Sequence, residues 1–359
     1  MALAVELAES QLLTDPTTSN ISPDASASTG ISIGGLLRSP ASGAFMGFAV
    51  VFIIFSVFGF GRNFLSVPGV TTWVNYASLV GIIAIPVGFL MIAGELDIST
   101  GAVLPASTMT VAIVSGHYEM PVLVGVIAAL SVGAAIGFVN GFIVTRTQVP
   151  SFIVTLATLF AVAGLTLYLS ILFINTTNSF YHAPDWAKSL FGGKFYGFNS
   201  SVFWWFGLIC GFVFFLHYSP KGSWVFALGG DQGSAHNAGI PVKRLKIGLF
   251  MLCSMSTAFA GVLQVITFNS ATSQANFGLI FNTIISVVVG GVLLTGGFGT
   301  VIGIVFGALT LAIVTQAIGF TNIDRNLSFL IIGVMLLIAV LMNDTFRKVA
   351  TNWSASKKK

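Results

Sequence analysis

Charged residues are scarce in this sequence. Lys, Arg, Asp and Glu account for 7% of its 359 residues, whereas a soluble domain contains about a quarter charged residues. The mean hydropathy is +0.95, and several apolar runs reach the roughly 20 residues that a helix needs to cross a bilayer. These runs lack the alternation of a membrane β-barrel. A soluble globular protein is therefore excluded, and the sequence predicts an all-α integral membrane protein.

Cysteine and histidine are also few, which limits the chemistry available. Cys210 and Cys253 both lie inside apolar runs, as inert packing residues do. The four histidines lie in loops or at a span end, so no metal site or catalytic triad can be assembled. A phosphate loop of the form G-x-x-x-x-G-K-[ST] is absent. We expect no enzyme and no bound cofactor or metal, so any ATP that drives the protein must bind to another subunit.

The apolar runs predict about ten transmembrane helices. The third and eighth are short enough to be tilted, broken or only part-way across the bilayer. Pro86 and Pro105 lie within apolar runs and are expected to kink or break them. The predicted spans are 44–60, 74–93, 101–116, 121–144, 151–174, 201–218, 246–268, 280–294, 300–318 and 327–343.

Basic residues near span ends predict the orientation, because Lys and Arg are retained on the cytoplasmic side. With both termini in the cytoplasm, the outer side has only Arg62, Lys188, Lys194 and Arg325. The inner side has Arg38, Arg146, Lys221, Lys243, Arg244, Lys246, Arg347, Lys348 and Lys357 to Lys359. These basic residues sit in short loops and form no continuous face, so nucleic acid is not an expected partner. We therefore predict a multi-pass protein of the bacterial inner membrane.

Three polar segments flank or interrupt the transmembrane domain, 44–343. Residues 1–43 are predicted to be a mobile cytoplasmic tail, and 344–359 a basic cytoplasmic tail. Residues 175–200 form the one sizeable outer loop, rich in aromatic residues. Such residues usually belong to the interfacial belt, and the alternative is a docking surface for an extracellular partner.

The most distinctive polar segment is 219–246, which we call the island. We interpret residues 219–222 as a turn, followed by a helix of about two turns that Asp231 caps and that Gly239 and Pro241 stop. Small residues on such a helix would leave its backbone accessible to a groove on another protein. The alternative is an ordinary cytoplasmic loop whose basic residues only fix the topology.

Ionisable groups are almost absent from the spans, and this argues against ion-coupled transport. Glu95 and Asp97 lie in the turn before the third span, where Asp97 is expected to cap the helix that starts near Ser99. Neutral polar residues remain, and some of them are candidates to line a path for an uncharged, hydroxyl-rich solute. The candidate path residues are Asn75, Asn140, Thr155, Thr158, Asn282 and Ser286.

Two glycine-rich hairpins, 91–113 and 293–313, look alike and are predicted to turn on the inner side, a weak indication of an internal repeat. They contain two of four motifs that occur in order along the chain. The four are Asp97-Ile98-Ser99 with Gly101, NGFIVTRTQVPSFIVT at 140–155, AHNAGIPVKRLK at 235–246 and VVVGGVLLTGGFGTVIG at 287–303. Together they resemble the permease family of monosaccharide ABC importers, of the ribose, xylose, galactose and autoinducer-2 type.

This resemblance implies a function and a set of partners. The chain would be the permease subunit that moves a neutral monosaccharide or polyol inward. It would pair with a second permease chain, dock on two ATP-binding subunits and receive solute from a periplasmic binding protein. The implied ATPase-coupling residues are Ser234, Ala235, Ala238, Gly239, Ile240 and Lys243, and the implied structural turns contain Asp97, Ser99, Gly101, Gly296, Gly297 and Gly299.

Several positions depart from the family pattern and leave the substrate open. Gly233 and Asn282 stand where acidic residues are common, Phe298 where an arginine often is, and Glu95 where a small residue is usual. The sequence leaves open which sugar is carried and whether the dimer contains one chain or two. A permease for nucleosides or autoinducer-2 is an alternative, and a carrier coupled to ions through Glu95 or Asp97 is a more distant one. An intramembrane enzyme would need a catalytic constellation that the sequence lacks.

Overall fold

The computed structural model describes residues 40–321 together with 324, 327, 330–334 and 337. Residues 1–39 and 344–359 of the predicted tails, and most of the predicted tenth span, lie outside the described residues. In the first half, the helices are α1 (Pro40–Phe58), α2 (Val67–Ile92), α3 (Thr100–Val111), α4 (Val122–Arg146) and α5 (Ser151–Ile174). A π-helical segment, Ala112–His117, extends α3.

The second half is also helical. It contains the single turn α6 (Asp185–Ala187), α7 (Ser200–Val213), α8 (Pro220–Gly230), α9 (Gln232–Asn237), α10 (Val242–Phe268), α11 (Phe277–Val289) and α12 (Val301–Ala317). Two π-helical segments, Lys188–Gly192 and Phe214–Tyr218, follow α6 and α7, and a 3₁₀ turn, Ile318–Phe320, follows α12. The strands are β1 (Asn178–Phe180), β2 (Lys194–Phe195), β3 (Phe198–Asn199) and β4 (Ser270–Thr272).

The chain is a polytopic helical membrane protein, as predicted. Seven of the described helical segments are long and apolar enough to cross a bilayer. They are α1, α2, α4, α5, α10, α7 with the π-helical segment that follows it, and α12 with its 3₁₀ turn. The two spans predicted to be short are α3, whose α-helical part has 12 residues, and α11, which has 13. Pro86 and Pro105 were expected to kink or break their helices. Neither breaks its helix, because each lies inside a continuous α-helix, and the expected kinks remain a prediction.

Burial separates the helices into an inner and an outer group. Most residues of α2, α3, α10 and α12 are buried within the chain, whereas α1 and α5 are largely exposed and apolar. Three glycines of α4, Gly133, Gly137 and Gly141, lie one helical turn apart against α10. A Cβ on any of them would come within 2.7 Å of an α10 atom. Glycine at this spacing lets two transmembrane helices pack backbone to backbone.

The predicted outer loop is tied to the helices by two small antiparallel sheets. β1 pairs with β4, which follows α10, and β2 pairs with β3 as a hairpin. The side chain of Asn75 holds this hairpin against α2. Its amide donates to the Gly197 carbonyl at 3.0 Å, and its carbonyl accepts the Asn199 N–H at 2.8 Å. The loop is therefore an ordered cover over the ends of α2, α3 and α10.

The turns of the two similar hairpins meet at a glycine junction, which we define as Gly94, Gly229, Gly296 and Gly297. The Gly297 N–H donates to the Ile92 carbonyl at 2.7 Å, which joins the end of α2 to the turn before α12. Gly94, Gly296 and Gly297 all have φ near +80°, where a side chain would be strained. Gly229 of α8 fits between the two turns because it has no side chain.

The junction predicts that alanine at Gly229 destabilises the protein far more than alanine at the adjacent Gly230 of α8. A Cβ on Gly229 would lie 1.7 Å from the Ile92 carbonyl oxygen, while a Cβ on Gly230 would meet no atom within 4 Å. Gly229→Ala is expected to destabilise the protein by about 3 kcal/mol or more, the upper end for overpacking, because the obstructing atoms are backbone. The thermal unfolding midpoint of the detergent-purified chain measures this. Gly230→Ala is the matched control, and equal midpoints for the two variants would contradict the junction.

Candidate functional site

The island begins with a helix that the sequence analysis did not predict. Residues 219–222 were interpreted as a turn, but Pro220 starts α8, and the Ser219 side chain accepts the Gly222 N–H at 3.3 Å. Serine at the N-cap followed by proline at the first helical position is a favourable start for a helix. That dipeptide was the signal that could have revealed α8.

The short helix α9 has the predicted start and stop. The Asp231 carboxylate accepts the Ser234 N–H at 2.6 Å, and hydrogen bonding from Ser234 lowers the pKa of this carboxyl. At the other end, the Gly239 N–H donates to the His236 carbonyl and the Ile240 N–H to the Ala235 carbonyl. With Gly239 at φ +83°, this pair of bonds is a Schellman motif. The helix is therefore fixed at both ends by its own sequence.

The predicted coupling residues divide into two groups. Ala235 and Ile240 are buried in the hydrophobic core of this chain, so they anchor α9 and are not available to a partner. Ser234, Ala238, Gly239 and Lys243 are exposed and remain candidate contact residues. Beside them lies an open groove of about 710 Å³ between α9 and the first turn of α10, lined by His236 and Arg244 among others. The exposed side of α9 thus combines small residues with a groove.

Lys246 connects the island to the body of the protein. Its ammonium group donates to the Glu95 carboxylate and, at 2.7 Å, to the side-chain carbonyl of Gln232, the first residue of α9. The Lys246 and Glu95 side chains are 8% and 11% exposed. The ion pair is compatible with a place for Lys246 on the inner side. It gives Glu95, for which the sequence indicated no partner, a basic residue from α10.

A second polar cluster surrounds Asp97. One carboxylate oxygen accepts the Ser99 N–H at 2.9 Å and the Ser99 hydroxyl at 2.6 Å. Ser99 is the N-cap residue of α3, so Asp97 holds the N-cap residue and does not itself cap the helix as predicted. The Asn140 amide donates to the Ser99 hydroxyl at 2.9 Å, and Ser254 donates to the other carboxylate oxygen at 3.5 Å. The cluster locks α3, α4 and α10 together.

The six candidate path residues lie on four helices, α2, α4, α5 and α11. Asn75 lies under the outer loop, as described above. Asn140 of α4 and Thr155 of α5 contact the turn before α3. The Thr155 hydroxyl accepts the Ile98 N–H at 3.2 Å. Asn282 of α11 donates to the Tyr76 hydroxyl at 2.8 Å, and the Ser286 and Thr158 hydroxyls bond carbonyls of their own helices. The structure does not gather these six residues into one cavity, and their role in a path remains a prediction.

The implied turn residues are structural. Gly101 lies where the chain enters α11, because its carbonyl accepts the Asn276 N–H at 2.8 Å. Gly299, at φ +159°, packs against the Ile92 side chain. Among the described residues, no group of three or more His, Cys, Asp or Glu could hold a metal ion. The contacts of Lys246, Asp97 and the glycine turns connect the island to the spans, so movement of one can be transmitted to the other.

Comparison with known proteins identifies relatives over most of the chain. A family described as "Branched-chain amino acid transport system / permease component" matches residues 69–340. The L-arabinose ABC transporter permease protein AraH of Azospirillum brasilense is 32% identical over 339 residues, covering 93% of this chain and 96% of that protein. The ribose import permease protein RbsC of Escherichia coli K12 is 29% identical, covering 82% and 92%.

A third relative is the fructose import permease protein FrcC of Rhizobium meliloti, which is 29% identical and covers 88% of each chain. The comparison with solved structures gave no match. The relatives are thus named for three different sugars, and each aligns along nearly its full length with this chain.

The Lys246–Glu95 ion pair predicts that removing one charge destabilises the protein more than removing both. Lys246→Met leaves the Glu95 carboxylate buried without a counter-charge, which typically costs about 3–5 kcal/mol. The double variant Lys246→Met/Glu95→Leu removes both charges and is expected to recover most of that loss, because an apolar pair of similar volume is often neutral. The measurement is the thermal unfolding midpoint of the purified chain.

The matched control is Lys221→Met, which removes an exposed lysine of the same island. It is expected to change the free energy of unfolding by no more than about 0.5 kcal/mol. If Lys246→Met is no more harmful than this control, the ion pair does not hold the island to the spans.

Proposed function

The chain belongs to the family of branched-chain amino acid transport system permease components, and we propose that it is the permease subunit of an ABC importer for a neutral monosaccharide or polyol. The observation that carries this proposal is the near full-length alignment with permeases named for arabinose, ribose and fructose. The family description names amino acids, so the substrate class needs a physical argument of its own.

The charge distribution supports a sugar over an amino acid. Charged side chains in the described spans occur only at their ends, as with Arg146 of α4 and the three basic residues in the first two turns of α10. A zwitterionic amino acid crossing the bilayer would need partners for both of its charges, since unpaired charges at depth are costly. A sugar needs only neutral donors and acceptors, which the spans contain.

The island supports energisation by separate ATP-binding subunits. α9 is exposed, capped at both ends and bordered by a groove, so it has the form of a short helix that docks on another protein. Its first residue contacts Lys246 of α10 and, through Lys246, the turn before α3. Displacement of α9 by an ATPase would therefore reach two buried helices, and nucleotide binding would bias the chain between two conformations.

The remaining partners follow from the same assignment. In this proposal the island and both termini are cytoplasmic. The outer loop, 175–200, which contains β1, β2 and β3, faces a periplasmic binding protein. The exposed apolar faces of α1 and α5 would contact lipid or a second permease chain. The protein would lie in the bacterial inner membrane and would itself catalyse no covalent reaction.

Two alternatives are distinguished by substrate and energy source. A permease for nucleosides or autoinducer-2 would share the architecture and differ only in the solute. An ion-coupled carrier would need a free carboxylate, whereas Lys246 neutralises Glu95, and Asp97 accepts three hydrogen bonds within the chain. The contacts of both acids therefore favour the importer.

Uptake measurements test the proposal directly. Cells that express the chain with its ATPase and binding-protein subunits are expected to accumulate one or more of radiolabelled D-ribose, L-arabinose and D-fructose. Uptake should stop when ATP is depleted and persist when a protonophore collapses the ion gradient while ATP is maintained. Uptake of leucine in place of these sugars, or uptake that follows the ion gradient, would contradict it.

The coupling role of α9 is tested by Ala238→Arg. Ala238 is exposed at the end of α9, so the variant is expected to insert and fold normally while uptake falls at least tenfold and the ATPase subunit no longer co-purifies. The matched control is Ser189→Arg, a substitution of an exposed small residue in the outer loop, which should leave ATPase co-purification intact. If Ala238→Arg still binds the ATPase subunit as the wild-type chain does, α9 is not the helix that docks on that subunit.

A further inference from the structure

A second cavity lies at the end of α10 that is farthest from the island. Its volume is about 270 Å³, and it is enclosed by α3, the last turns of α10 and the β1–β4 sheet. Toward the island the two helices touch, since a Cβ on Gly261 of α10 would lie 3.0 Å from the Leu104 carbonyl oxygen of α3. The cavity lies beside this contact and is lined by Leu104, Thr108 and Gln264.

One wall of the cavity is irregular backbone that runs beside α3. Asn269, at φ +52°, ends α10, and β4 then pairs with β1 beside Thr108. At Asn276 the chain lies beside Gly101 of α3, because the Asn276 N–H donates to the Gly101 carbonyl. Thr108 and Gly101 are separated by about 10 Å along α3, so the segment descends beside the helix. Within a membrane, non-helical backbone occurs where it is buried in protein or borders an aqueous cavity.

The lining is neutral and has free hydrogen-bonding capacity. The Gln264 carboxamide is half-buried and makes no hydrogen bond to any residue that the structure describes. The Thr108 hydroxyl donates to the Pro105 carbonyl at 2.9 Å and keeps its lone pairs as acceptors. Leu104 supplies an apolar surface, and no charged residue lines the cavity. A carboxamide offers two donors and an acceptor, which match a solute with several hydroxyl groups.

We propose that this cavity is a solute site within a single chain, which binds a small uncharged polyhydroxylated molecule through Gln264 and Thr108. The inference rests on the proposed function, because the solute is taken to be the transported one. The volume is slightly below the roughly 300–1,000 Å³ of pockets for drug-sized ligands, which suits a molecule of monosaccharide size. An ion or amino acid would find no counter-charge here, and a lipid tail would leave the Gln264 carboxamide unpartnered.

Cysteine protection tests occupancy of the cavity. Ser179 is half-buried between exposed neighbours in β1, so its side chain lies on the covered face of the sheet and lines the cavity. In the assembled importer with Cys210→Ser, the Ser179→Cys thiol is expected to react with a membrane-impermeant reagent. D-ribose, L-arabinose or D-fructose, whichever the importer takes up, should slow that reaction in a concentration-dependent way. An unreactive thiol, or one that no transported sugar protects, overturns the proposal.

Gln264→Met identifies the residue responsible, since methionine keeps the length of the side chain and removes its donors and acceptor. It is expected to raise both the sugar concentration for half-protection and the KM for uptake roughly fivefold, as for the loss of one neutral hydrogen bond. Gln274→Met is the matched control, because Gln274 is exposed and lies outside the cavity.

The outcomes separate this inference from the proposed function. Normal sugar uptake with no protection, or with equal protection in Gln264→Met and Gln274→Met, overturns the single-chain site and leaves the importer assignment intact. Failure of the wild-type importer to take up any neutral sugar would instead overturn the proposed function, and this inference with it.

Discussion

The need to pair every backbone polar group inside the bilayer constrains this protein most. An unpaired N–H or C=O in hydrocarbon costs several kcal/mol, yet the chain contains non-helical segments around 93–99, 269–276 and 290–300. Each is tied to a neighbour: Leu96 N–H to Ser151, Ile98 N–H to Thr155, Asn276 N–H to Gly101 and Gly297 N–H to Ile92. Many of the glycines and neutral polar residues of the spans serve this pairing. Short spans such as α11 are possible because the adjoining turns are bonded to other helices.

Local signals in the sequence predicted local structure well. The Asp231 cap, the Gly239 stop and the two short spans are set by residues within a few positions of each other, and the structure confirms them. The prolines show where local rules fail. Proline removes one backbone donor, but neighbouring helices pack around Pro86 and keep α2 continuous. Helix α8 was missed because the Ser-Pro signal was interpreted as a turn.

Contacts between segments that are far apart in the sequence could not be predicted from it. Lys246 meets Glu95 across 151 positions, and no periodicity links a basic residue at one span end to an acidic turn before another span. The same limit applies to the candidate path, where six residues chosen for polarity alone lie on four different helices. The free Gln264 carboxamide could not be singled out either, because its distinguishing property is the absence of a partner in the folded chain.

The position of α10 links these findings into a mechanism. This helix of 27 residues is about 40 Å long. At one end Lys246 holds α9 and the turn before α3, and at the other Gln264 borders the cavity closed by β4. Residues 247–258 of α10 pack against the glycine face of α4, so we expect these two helices to move together. In the proposed importer, Lys246 would pass a displacement of α9 to α10 and to the turn before α3 together, and solute bound at Gln264 would favour one position of α9 by the reciprocity of coupled sites.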